Sequence, residues 1–304
     1  MKGGRISRLP QNHRLLVAVV ALCFFIDRSG AFLTSALCAT PALCFSHLST
    51  FRASRFRFGR PVMKQTAESL QDRDFQAIPL QQSSVSKLGP LSNRYFGLRH
   101  GESYGNVQNV ISSHPVQGTL IHGLTKRGQE QAKSAAPLLV EAIGGVERMK
   151  DLVVLTSNFT RARETAAEVV AALSSVVNDW RKEVIVETAL RERWFGELDN
   201  TIITNYNKVW PADLKDASCT NYGVESVDQV CERLRGMMLK LEATYSNKNI
   251  VLVSHADTLQ ILQTYVAGVD PRTFSQYRFK NGEVRALLQD PASLPEPAPL
   301  VYSP

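Results

Sequence analysis

The stretch Tyr95-Phe-Gly-Leu98, followed at once by Arg99-His100-Gly101-Glu102-Ser103, decides how the rest of the chain is read. Four mostly apolar residues make a candidate strand, and charged side chains are then crowded at its end. Charges in succession at a strand end have no packing role, and Gly101 permits a close backbone approach. In an open α/β sheet, ligands bind beyond the carboxyl ends of the strands. The junction at 99–103 is therefore a candidate site, and the pattern recurs. Leu152-Val-Val-Leu155 runs into Ser157-Asn-Phe-Thr-Arg161, and Ile250-Val-Leu-Val253 runs into Ser254-His255.

Between these short runs lie segments of helical period. Thr125 can cap a helix through about Val140, with Ala132, Ala135, Ala136 and Leu139 on one stripe, and Pro137 is expected to kink or shorten it. Arg161 to Leu173 reads as a helix and Val184 to Val186 as a strand. Ser226-Val-Asp-Gln229 has capping-box spacing and opens a helix with Val227, Val230, Leu234, Met238 and Leu241 on one face. A helix over Asp257 to Val266 and an edge strand from Val284 to Leu288 complete the series. Short apolar runs alternating with amphipathic helices imply an α/β fold, a three-layer sandwich with a mostly parallel sheet flanked by helices on both faces. Met237 and Met238 read as core residues.

The chain has 304 residues and a formal net charge of +7. Residues 1–67 carry ten of the 35 basic residues and one of the 28 acids, so the remainder holds 25 against 27, a net of −2. The basic character thus belongs to the N-terminus, and no nucleic-acid partner is expected for the rest. Arg5, Arg8 and Arg14 precede a 12-residue apolar run, Leu15 to Ile26. That is short of the roughly 20 residues of a membrane span and within the about 7–15 of a signal-peptide core. From Arg28 to Ala67 there is no acidic residue, and Ser, Thr, Ala and Arg abound. A signal core joined to transit-type sequence resembles the bipartite presequences of algae with complex plastids. Residues 1–67 are therefore expected to be a removable address to a plastid, with the secretory pathway as the alternative and no membrane span in the mature form. Residues 68–92 read as a linker, 93–290 as the domain and 291–304 as a Pro-rich tail.

Only Cys219 and Cys231 fall outside the N-terminal segment, too few for a disulfide framework or a zinc set. No His/Cys/carboxylate clustering suggests a metal, and no cofactor is expected.

Several pieces then agree in order. Arg99-His-Gly-Glu-Ser103, Asn106, Gly123-Leu-Thr-Lys-Arg-Gly128, Ser157 to Ala166, Leu190-Arg-Glu-Arg-Trp-Phe-Gly196 and Val253-Ser-His-Ala256 together resemble the histidine phosphatase superfamily, which includes the cofactor-dependent phosphoglycerate mutases. The resemblance covers roughly residues 93–290. It implies that His100 is a nucleophile that becomes transiently phosphorylated, that His255 pairs with the same phosphoryl oxygens, and that Asn106 binds phosphate. It also implies that Glu192 is the proton donor to the leaving oxygen. The residues suit that chemistry on their own terms. Arg99 and Arg161 can fork onto phosphoryl oxygens. A neutral imidazole is a nucleophile near pH 7. A carboxyl partly withdrawn from water beside Trp194 and Phe195 is suited to hold a proton. Asp257, two residues past His255, is the rival acid.

The expected substrate is a small phosphorylated metabolite. Three readings follow from the resemblance: phosphatase, phosphoglycerate mutase, and a non-catalytic binding module of the same fold. Mutases of the family carry a basic insert after the acid loop, whereas Trp194 through Glu232 holds no arginine, only Lys208 and Lys215. Phosphatase is the favoured reading, and homodimerisation is left open. His114 and His122 read as structural loop residues, with His122 near enough to the Gly123 segment to touch substrate. Arg163 reads as a solvated helix residue and Arg193 as either structural or functional. Glu102 is either a surface group or one that orients a site arginine.

Overall fold

A computed structural model of the chain describes residues 82–176 and 183–300. Residues 1–67, expected to be a targeting segment, and most of the stretch 68–92, expected to be a linker, lie outside the described residues. Strand β1 (Arg94–Arg99) leads through a four-residue helix α1 (Tyr104–Val107) into α2 (Lys126–Ile143). Then come β2 (Leu152–Thr156), α3 (Thr160–Val176), β3 (Val184–Val186), α4 (Tyr206–Lys215) and α5 (Val227–Thr244). The chain closes with β4 (Asn249–Ser254), α6 (Ala256–Val266) and β5 (Val284–Leu287). The sheet order is β3-β2-β4-β1-β5, all parallel but for β5, which runs antiparallel along β1 at the edge.

Side chains alternate along each central strand, and each alternation feeds a separate core. Phe96, Leu98, Leu152, Val154, Val251 and Val253 meet α2 and α3 on one face. Tyr95, Leu155, Ile250 and Leu252 meet α5 and α6 on the other. The three-layer α/β architecture expected from the sequence is the one observed. Thr125 caps α2 through the backbone N–H of Gly128, and Ser226 with Gln229 forms the capping box of α5.

Two expectations need adjustment. Pro137 does not shorten α2, which runs three residues past Val140 to end on the left-handed Gly144. Pro137 and Lys133, whose carbonyl it leaves without an intrahelical donor, both lie on the exposed side of the helix. Residues 83–92, read as linker, lie against the domain. Val85, Leu88 and Leu91 pack on the α5/α6 core, the Tyr265 hydroxyl donates to the carbonyl of Ser86, and Glu242 accepts from Ser92.

Parallel register brings the strand ends together. Arg99 pairs with Ser254 across β1 and β4, so His100 and His255 are each the next residue after a matched pair. Thr156 of β2 pairs with Val253, which brings Ser157 and the start of α3 to the same edge. One glycine pair makes the turn after β1 feasible. A Cβ on Gly101 would come within 2.2 Å of the Gly128 carbonyl oxygen, and one on Gly128 within 2.0 Å of that of Glu102. Backbone crosses backbone there, and no other residue type fits.

Candidate active site

His100 sits 3% exposed at the end of β1 with both ring nitrogens engaged. Nδ1 lies 2.7 Å from the carbonyl oxygen of Gly101, and Nε2 lies 3.0 Å from the Nε of Arg161. A carbonyl can only accept and a guanidinium can only donate. The proton is therefore on Nδ1, and the lone pair of Nε2 accepts from Arg161. Burial, then the charges of Arg161 and Arg99, hold the His100 pKa well below the usual histidine value. The ring is neutral at neutral pH, with the Nε2 lone pair as its acceptor.

His255 lies across from it, the ring centres 5.2 Å apart. It is the N-cap residue of α6 and fully buried, with Nε2 2.8 Å from the Ser157 hydroxyl. Its Nδ1 has no hydrogen-bond partner among the described residues. Burial and then the Arg161 charge keep it neutral as well. Arg161, in the first turn of α3, donates through Nη2 to the carbonyl of Ser112 (2.9 Å) and through Nη1 to its hydroxyl (3.4 Å). Burial draws its pKa down to about 10, still far above neutrality. Arg99 is aimed by the carbonyl of Phe279, which accepts from its Nη1 at 2.7 Å.

The acid side is built around a buried ion pair. Arg193 is wholly buried and clamps Asp213 with two bonds of 2.7 and 2.8 Å, while its Nη1 lies 3.6 Å from Asp257. This resolves Arg193 as structural. Burial opposes its charge, but the Asp213 carboxylate outweighs burial and raises its pKa. Glu192, the residue before it, turns toward the cavity, with Oε1 receiving the backbone N–H of Arg193 at 3.0 Å and the Thr258 hydroxyl at 3.3 Å. Asp257 is buried in the first turn of α6 and accepts from the Trp210 indole N–H at 3.2 Å. Burial, then the charge of Glu192, lifts its pKa to about 7 against the pull of Arg193. Both candidate acids thus line the same cavity of about 80 Å³, together with Arg99, Asn106 and Arg161.

Asn106 is occupied more than expected. Its Oδ1 accepts from the backbone and hydroxyl of Ser103, completing the capping box of α1, so its amide N–H groups are the donors left for the cavity. Glu102 does not orient a site arginine. It accepts from Thr125 (2.8 Å) and pairs with Arg127, tying the first loop to the start of α2. His122 and His114 are structural: His122 Nδ1 contacts the Ser112 hydroxyl (2.8 Å), and His114 Nδ1 accepts from the backbone of Val116 and Gln117. Arg163 is exposed and reaches the carbonyl of Thr119. Cys219 and Cys231 are free thiols.

Sequence reasoning missed Ser112, which holds Arg161, and Arg278, which lines the cavity from the segment after α6. Both lie in irregular segments with no periodic or motif signal. Among the described residues no group of three His, Cys, Asp or Glu side chains is placed to hold a metal, and no helix is long and apolar enough to cross a membrane.

Residues 96–293 match the family described as the histidine phosphatase superfamily, branch 1. A broad-specificity phosphatase of Saccharomyces cerevisiae is 31% identical over 177 residues, which span 56% of this chain and 68% of that one. The uncharacterized phosphatase PhoE of Bacillus subtilis is 25% identical over 178 residues, 57% of this chain and 77% of that one. The solved structure of a mycobacterial glucosyl-3-phosphoglycerate phosphatase superposes with a TM-score of 0.51 at 23% identity, covering 64% of this chain and 91% of that one.

The geometry makes a prediction about protonation. Whereas an ordinary histidine titrates near pH 6.5, nitrogen-15 NMR of the imidazoles at pH 6 is expected to show His100 and His255 still neutral, with the His100 proton on Nδ1. Because the unfolded chain binds those protons more readily than the folded one, stability should also fall as pH drops below that value. A charged imidazolium pattern for His100 at pH 6 contradicts the arrangement.

Proposed function

Because the chain belongs to branch 1 of the histidine phosphatase superfamily, we propose that it is a phosphatase, hydrolysing a small phosphorylated metabolite through a phosphohistidine formed on Nε2 of His100. The observation that carries this reading is the ring's fixed tautomer, with Nδ1–H spent on the Gly101 carbonyl and the Nε2 lone pair facing a buried guanidinium. The Nε2 lone pair attacks phosphorus while the bond from phosphorus to the leaving oxygen breaks. Arg99, Arg161, His255 and the amide of Asn106 take the phosphoryl oxygens, supplying fixed donors where negative charge is concentrated. The Arg161 N–H that rests on Nε2 passes to those oxygens as the P–N bond forms.

The leaving oxygen takes a proton from Glu192. Water then attacks phosphorus, its proton goes to Glu192, the P–N bond breaks, and phosphate leaves with the imidazole neutral again. Glu192 is preferred to Asp257 because the Asp257 carboxylate already accepts from the Trp210 indole N–H and lies 3.6 Å from Arg193. Hydrolysis is preferred to mutase transfer because the segment after the acid loop lacks arginine from Trp194 to Glu232, and because the relatives described above are phosphatases. The non-catalytic reading has no support in a site where every reacting group is present.

His100→Ala is expected to abolish phosphate release from para-nitrophenyl phosphate and from any natural substrate found in a metabolite panel; unchanged turnover would refute the phosphohistidine route. Glu192→Gln should slow an alkyl phosphate by about 100-fold or more, the size of general acid catalysis, and nitrophenyl phosphate far less, since nitrophenolate leaves without a proton. Equal slowing of the two transfers the acid role to Asp257.

We also propose that residues 1–67 direct the chain to a plastid, on the strength of the short apolar core and the acid-free Ser- and Arg-rich stretch behind it. Those residues fused to a fluorescent protein should accumulate in the plastid of an alga with complex plastids; cytosolic or secreted fluorescence rejects the assignment.

A further inference from the structure

The cavity wall beyond the phosphoryl-binding groups is an aromatic step carrying a cation. Trp210 stacks on Tyr206 with ring centres 4.9 Å apart and planes 10° from parallel. The guanidinium carbon of Arg278 lies 5.2 Å from the centre of the Trp210 ring, the geometry of a cation–π contact. Arg278 is half-buried and is positioned from two directions. Its Nε donates to the carbonyl of Ser275 at 3.2 Å, and its Nη2 donates to the carbonyl of Pro299 at 2.7 Å. Pro299 belongs to the C-terminal tail, which is itself anchored. Ala298 donates its backbone N–H to Gln276 at 2.7 Å, and Leu300 packs against the core. The next residue, Phe279, supplies the carbonyl that aims Arg99 at the phosphoryl site. Two consecutive residues therefore set one cation at the reacting end of the cavity and another on its side wall.

We infer that Arg278 is a specificity residue that reads a second anionic group, a carboxylate or a second phosphate, on the substrate. This rests on the phosphatase reading of the cavity. The cavity is small, about 80 Å³, so a phosphorylated chain of a few carbons brings its far end against the wall that Arg278 lines. The Ser275 and Pro299 carbonyls are neutral acceptors, and an anionic oxygen forms a shorter, stronger bond with the same guanidinium. Arg278 thus brings a cation to a cavity that the Glu192 and Asp257 carboxyls also line. Trp210 links the two features, because its indole N–H holds Asp257 while its ring face supports Arg278.

The test compares matched substrates on the full chain. 3-Phosphoglycerate carries a carboxylate where glycerol 3-phosphate carries a hydroxymethyl group; glucose 1,6-bisphosphate and glucose 1-phosphate differ in a phosphate. Arg278→Leu is expected to lower kcat/KM by about tenfold or more for the doubly anionic member of at least one pair, chiefly through KM, and by less than about twofold for its partner. Arg278→Lys should recover part of that loss. The pair that responds identifies the group read. An equal fall for both members, as loosened structure would produce, overturns the inference, and so does no fall at all. If the wild-type chain releases phosphate from none of the four or from nitrophenyl phosphate, the phosphatase reading itself fails and takes this inference with it. If turnover is sound and Arg278→Leu is silent, only the role of Arg278 is lost.

Discussion

A buried guanidinium whose hydrogen bonds go to neutral partners is the constraint on which the site depends. Arg161 donates to an imidazole nitrogen, a hydroxyl and a backbone carbonyl. None of these carries the charge that would balance it, and a buried cation without a direct counter-ion is costly. The cost shows in the lowered pKa of Arg161 and in the two histidines, which its field and their own burial keep neutral. In the reaction proposed above, an incoming phosphoryl group relieves all three at once, supplying the missing negative charge to a ring already in the tautomer that the proposal requires.

The opposite side of the cavity solves the reverse problem. Three carboxyl groups, those of Glu192, Asp213 and Asp257, are buried close together, and one arginine serves them. Arg193 gives its two best bonds to Asp213 and only a longer approach to Asp257. Burial first, and then the neighbouring charge of Glu192, push the Asp257 carboxyl up to about 7, and Arg193 only partly offsets them. One half of the cavity is thus rich in uncompensated cation and the other rich in undercompensated carboxyl. That polarity matches a reaction in which phosphoryl charge is gathered on one side and a proton delivered on the other.

Much of this was legible in the sequence because it depends on strand ends. β1, β2 and β4 are short, apolar and parallel, and chemistry-bearing residues placed one position past such strands converge whatever the rest of the chain does. Period-two alternation likewise made the two-faced core readable. The supporting shell was not legible, for a physical reason. Ser112 holds Arg161 through a backbone carbonyl, which any residue type possesses, and Arg278 owes its place to the carbonyls of Ser275 and Pro299. Arg193 was ambiguous because it follows Glu192 immediately, and only the fold shows that the two side chains diverge, one to the cavity and one to Asp213. Pro137 was misjudged because exposure decides whether a proline's missing hydrogen bond matters, and exposure is a tertiary property.

The pairing of β1 with β4 places the two histidines side by side although 155 positions separate their strands, from Arg94↔Asn249 to Arg99↔Ser254. Such a pairing is slow to close, since the entropy of the intervening loop is lost before any contact repays it. β4 also lies between β1 and β2, so the sheet has no continuous centre until the last third of the chain arrives. A ribosome-bound chain that ends before residue 249 therefore holds His100 without the facing ring of His255 and without the middle of its core.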